Sequence, residues 1–121
     1  MTQIEFVRRL VLNEICDDYE DLEMIGQWVF KDSARCGLTV TQGDIVKSLI
    51  DLIEAGMAKA YWFEPMAKEP SELKGPPPLD EIQKFYFWAT PQGIDLQVSD
   101  GNWWPFDDND ELRKDWVPPS P

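Results

Sequence analysis

The segment Thr41–Gly56 constrains the fold more than any other part of the chain. Thr41 and Asp44 stand three residues apart at its start, the spacing of a capping box, with Asp in place of the preferred Glu or Gln. Ile45, Leu49, Leu52 and Ile53 follow at i, i+4, i+7 and i+8, which places them on one face of a helix. Gly56 closes the segment at the residue after the cap, where only glycine adopts the left-handed conformation cheaply. The chain then becomes extended. Met57–Glu64 contains Tyr61, Trp62 and Phe63 in a row and reads as a strand.

The same reasoning divides the rest of the chain. Ile4, Val7, Val11 and Ile15 recur at helical spacing, widened by Leu10 and Leu12, with Glu5, Arg8, Arg9 and Asn13 largely opposite. This predicts an amphipathic helix over residues 3–16. The acidic run Asp17–Asp21 supplies capping residues and negative charge for a second helix, marked by Leu22, Ile25, Trp28 and Val29 and ending near Lys31, with a turn at Gly37. Residues 65–80 hold Pro65, Pro70, Gly75, Pro76, Pro77 and Pro78 and read as one long loop. Gln83–Ala89, with Phe85, Tyr86, Phe87 and Trp88, is a second strand. Thr90 and Pro91 give an N-cap and a first-turn proline for a short helix to about Gln97. The order is therefore three helices, two strands joined by a loop, and a short helix. The predicted class is α+β, with the strands paired as an antiparallel hairpin.

Two segments carry a family resemblance. Asp44-Ile45-Val46-Lys47-Ser48-Leu49-Ile50-Asp51-Leu52-Ile53-Glu54-Ala55-Gly56-Met57 resembles the recognition-type helix and the turn into the first wing strand of the winged-helix superfamily. Phe87-Trp88-Ala89-Thr90-Pro91-Gln92-Gly93-Ile94-Asp95-Leu96 is similar to the segment that ends the wing and begins the next helix. The chain looks most like bacterial regulators of the MarR and PadR type, over about residues 4–97. The resemblance implies a three-helix core, a two-stranded antiparallel wing hairpin and a short C-terminal helix. Residues 1–100 would form this domain, and 101–121 an acidic tail rich in Trp and Pro that packs on it. It also implies DNA contacts from the third helix and the wing. The groove-facing candidates are Gln42, Asp44, Lys47, Ser48 and Asp51, with Lys68 and Lys74 on the wing loop.

Charge opposes that last implication. The chain has 121 residues, 23 acidic against 11 basic side chains, and a net charge of −12. From Gln42 to Glu54 one lysine faces Asp44, Asp51 and Glu54, and the wing loop adds Glu69, Glu72 and Asp80. DNA binding gains its free energy from replacing counterions with Lys and Arg, so this surface would repel the duplex. We therefore expect protein–protein interaction or self-association in preference to DNA binding, with a transcriptional regulator as the alternative.

The composition also removes chemistry. There is no histidine, so Ser–His and Cys–His nucleophilic catalysis and His-ligated zinc are absent. Cys16 and Cys36 lack metal-ligand spacing and read as buried apolar residues of a reducing cytoplasm. The glycines form neither a dinucleotide fingerprint nor a phosphate-binding loop. Asp107, Asn109 and Glu111 imitate the start of a calcium loop, but Leu112 and Pro118 occupy the positions of its glycine and terminal carboxylate. We expect no enzyme, no cofactor, no metal and no membrane span.

Aromatic residues supply the remaining candidates. Phe85-Tyr86-Phe87-Trp88 puts rings on both faces of one strand, and only one face can lie on the helices. Something must cover the other, and the C-terminal tail is the expected cover. The candidate partner surface comprises Tyr86 and Trp88 with Trp103, Trp104, Phe106 and Trp116 of the tail. A third reading is a small-ligand pocket lined by Trp28, Trp62, Phe85 and Phe87.

Overall fold

The computed structural model describes residues 1–121. It contains four α-helices: α1 (Gln3–Glu14), α2 (Leu22–Arg35), α3 (Gln42–Glu54) and α4 (Pro91–Ser99). Four short strands, β1 (Glu20–Asp21), β2 (Ala58–Trp62), β3 (Ser71–Glu72) and β4 (Tyr86–Ala89), form one antiparallel sheet in the order β1-β4-β2-β3. The class is α+β. No helix is long and apolar enough to cross a membrane.

α3 is built as its sequence predicts. Thr41 Oγ accepts from the Asp44 N–H at 3.1 Å, and the Asp44 carboxylate accepts from the Thr41 N–H at 2.8 Å, completing the capping box. At the other end Gly56 has φ of +77°. The Met57 N–H donates to the Leu52 carbonyl and the Gly56 N–H to the Ile53 carbonyl, so the helix closes in a Schellman turn. Ile45, Leu49 and Leu52 enter the core against α1, α2 and the inner face of the sheet.

That inner face carries Ala58, Ala60, Phe87 and Ala89, all buried. Small residues on the strands let the helices approach closely, and Phe87 fills the space between. The backbone at Gly93 is closer still. A Cβ there would stand 2.2 Å from the Met57 carbonyl oxygen, so α4 can start against β2 only with glycine at this position.

Several expectations are corrected. The paired element is a four-stranded sheet and not a two-stranded hairpin. β1 lies in the acidic run, where no apolar alternation marks a strand. It forms because the edge of β4 has backbone groups to satisfy, and the Ala89 N–H donates to the Ile15 carbonyl at 2.8 Å beside it. The loop after β2 contains β3, and a 3-10 helix at Leu79–Lys84 replaces the predicted start of the last strand. α2 runs four residues past Lys31. Ile4, placed by spacing on the apolar stripe of α1, is 57% exposed. Arg9, placed on the polar side, is only 7% exposed, because α4 and the tail close over it.

The tail lies on the helices. Trp103 meets Phe6 edge-on at 6.0 Å, and Trp116 meets the same ring at 5.7 Å. Phe106 lies under the guanidinium of Arg35, at the end of α2, at 3.8 Å. Near the end of the chain Ser120 exchanges backbone hydrogen bonds with Met1 and Gln3. The ring contacts of the tail thus go to α1 and α2. They do not go to the outer face of the sheet, where the tail was expected.

Candidate functional site

Strand alternation sends Lys59, Tyr61, Tyr86 and Trp88 to the face opposite the core. The register then aligns one row across all four strands. Asp21 pairs with Tyr86, Tyr86 with Tyr61, and Tyr61 with Glu72. Directly opposed residues point to the same side, so two tyrosines stand between two carboxylates. In the neighbouring row Trp88 lies opposite Lys59.

Further rings extend this surface. Tyr19, from the turn before β1, folds over the face and meets Trp88 at 4.5 Å, Tyr61 at 4.9 Å and Phe63 at 5.1 Å. Phe63 also meets Tyr86 at 4.7 Å. These contacts are edge-to-face or close to it, the arrangement favoured by the ring quadrupole. Phe63 remains 41% exposed. The Trp88 indole N–H donates to the Cys16 carbonyl at 3.4 Å, which orients the ring along the surface. A shallow groove leads from Tyr61 and Trp88 past Lys59 to Pro91, Gln92 and Ile94 at the start of α4.

The electrostatics of the face are acidic. The Lys59 ammonium is bound by Glu72, whose hydrogen bond and charge hold it above its ordinary pKa. The one cation of the sheet rows is therefore already neutralised. Asp17 and Asp18 are exposed beside Tyr19. Glu20, opposite Phe87, belongs to the other side of the sheet, and burial, then the charges of Asp18 and Asp21, push its carboxyl up. Partial burial, followed by the charges of Glu72 and Tyr19, pushes the Tyr61 hydroxyl up as well.

The structure separates the residues that sequence reasoning grouped as a partner surface. Tyr86 and Trp88 lie on the outer face. Trp103 and Phe106 are 8% and 5% exposed, and Trp104 and Trp116 are half-buried beside them in the tail. The face gains Tyr19, Tyr61 and Phe63 instead. Alternation in Lys59-Ala60-Tyr61-Trp62-Phe63 signals the last two. Nothing in the local sequence signals Tyr19, which arrives by tertiary folding of a turn.

The nucleic-acid candidates are dispersed. Ser48 is buried, at 3% exposure, so its hydroxyl cannot reach a groove. Lys47 is exposed, but Asp51 holds its ammonium at 3.1 Å, and Arg8 shares the same carboxylate at 3.5 Å. Gln42 is exposed at the start of α3 beside Asp44, whose carboxylate is engaged in the cap. Lys68 and Lys74 are exposed on the loop after β2, on either side of the acidic β3. The four rings suggested for a ligand pocket do not converge either. Phe87 is fully in the core, Trp62 packs on Phe85 at 5.6 Å, and Trp28 is exposed on α2 under the Lys31 ammonium. Asp107 is occupied in its own turn, accepting from the N–H groups of Asn109 and Glu111. No group of three or more acidic or cysteine side chains is arranged to hold a metal ion.

Comparison with family models, with curated proteins and with solved structures gives no match.

Proposed function

We propose that this chain is a winged-helix module that acts by contacting protein and not by binding DNA or by catalysis. The order helix, strand, helix, helix, then three strands and a helix, with the first short strand added beside the last, supports the winged-helix reading. In such a module α3 and the loop after β2 are the surfaces that relatives by fold would present to a duplex. The observation that carries the functional reading is the capture of Lys47 by Asp51 on α3. That helix offers carboxylates where a phosphate backbone would lie, while the outer sheet face offers rings that the tail leaves uncovered. The free thiols of Cys16 and Cys36, both pushed up to about 11 by burial, suit a reducing cytoplasm.

Two measurements test this. A photo-crosslinking phenylalanine in place of Tyr86 should form protein adducts in cells, while the same group in place of exposed Gln27 on α2 should not. Fluorescence anisotropy with a labelled mixed-sequence duplex at low salt should stay flat. Salt-dependent duplex binding that Lys47→Ala weakens would overturn the reading in favour of a DNA-binding regulator.

A further inference from the structure

We propose that the outer sheet face docks a cationic segment of a partner protein, whose Lys or Arg side chains lie on the rings of Tyr61, Tyr86 and Trp88 near the exposed Asp17 and Asp18. This rests on the protein-recognition reading above and names the chemistry of the partner.

The first observation is where the chain spends its own cations. Arg9 lies over Trp103 at 4.9 Å, Lys31 over Trp28 at 5.1 Å and Arg35 over Phe106 at 3.8 Å. Aromatic rings on α2 and in the tail thus receive a basic side chain of the same chain. The cluster on the sheet receives none, although it holds five rings, as many as the cluster of the tail with Phe6. Its ring faces carry negative potential that attracts a cation. Asp21 is engaged in capping α2 and Glu72 in binding Lys59, and the exposed carboxylates that adjoin the rings are Asp17 and Asp18 beside Tyr19. The chain's net charge of −12 disfavours a second copy of itself as the occupant and favours a basic one.

The second observation is the turn that adjoins the face. The Ala67 N–H donates to the Glu64 carbonyl at 3.2 Å, with Pro65 and Met66 between them. Met66 has φ of +72°, a conformation that such a turn normally reserves for glycine or asparagine. Its side chain is fully exposed. A long apolar side chain is therefore held in a strained backbone with nothing of its own chain to pack on, three residues from the exposed Phe63. It would supply an apolar contact flanking the cationic one.

The test uses the full chain and three synthetic octapeptides, Arg alternating with Leu, Glu alternating with Leu, and Ser alternating with Leu. The six tryptophan indole N–H signals are followed by NMR. The Arg-Leu peptide should move the Trp88 signal saturably and leave those of Trp28, Trp103 and Trp116 in place. Tyr61→Ala with Tyr86→Ala should weaken it by about tenfold, as two lost ring contacts imply. Met66→Gly should weaken binding while raising the melting temperature, so poor folding cannot account for the loss. Equal movement of all exposed indoles, or full affinity in the ring and Met66 variants, would reduce the effect to bulk charge and overturn the proposal. Tighter binding of the Glu-Leu or Ser-Leu peptide at Trp88 would overturn the cationic partner and leave protein recognition standing. Loss of the position-86 adducts would instead remove protein recognition itself.

Discussion

Glu14 shows how one residue can oppose the fold that contains it. It ends α1 half-buried, and its carboxyl is raised from 4.5 to about 7, first by desolvation and then by the nearby charge of Asp32. The native state therefore holds a proton that the unfolded chain has released between pH 4.5 and about 7. Stability falls as pH rises through that window, because ionisation is easier in the unfolded chain. Glu14→Gln should raise stability at pH 8 by about 1–2 kcal/mol, after allowance for solvent screening, and should leave it nearly unchanged at pH 4. Urea unfolding at the two pH values checks this. An equal gain at both would mean that packing, and not charge, causes it. The sequence marks Glu14 only as a residue near the end of a helix, since the charges of Asp32 and Glu20 that act on it arrive from other elements.

At the scale of elements, the join between α1 and α4 depends on one side chain. Arg9 donates to the carbonyls of Leu96 and Asp100, to the Asp100 carboxylate at 3.1 Å, and to Gln97. Its guanidinium thus caps the end of a helix that has no basic residue in its last turn, and also lies on Trp103. Arg9→Met keeps the aliphatic stem but leaves those carbonyls without their donor, and should cost about 1–3 kcal/mol in denaturant unfolding. Arg9→Lys should recover only part of the loss, because a point charge cannot serve several acceptors at once. Helix periodicity assigned Arg9 to solvent, and the error is instructive. α1, α3 and α4 were legible because caps, glycines and apolar spacing are local signals. β1, β3 and the buried side of Arg9 were not, because each exists only when a distant segment supplies its partner. The candidate site divides in the same way. Tyr86 and Trp88 follow from alternation, Tyr19 from nothing local, and the tail rings belong to the helices.

Across the whole molecule the tail behaves as structure. Residues 101–121 bury Trp103 and Phe106 and cover Phe6, which is 1% exposed. Ending the chain at Asp100 should therefore cost roughly 3–5 kcal/mol, comparable to removing one large buried ring, and should lower the urea midpoint. An unchanged midpoint would mean that the tail only decorates the surface. The acids of the tail remain exposed and add to the net charge of −12. The contacts of α1 also bear on the order of folding. Phe6 and Arg9 meet their partners Trp116 and Trp103 across about a hundred residues of chain. Contacts so distant in sequence impose a slow loop closure, so α1 must dock on α2 and α3 with one side still open. Until residues 101–121 reach it, the ring of Phe6 stays open to water.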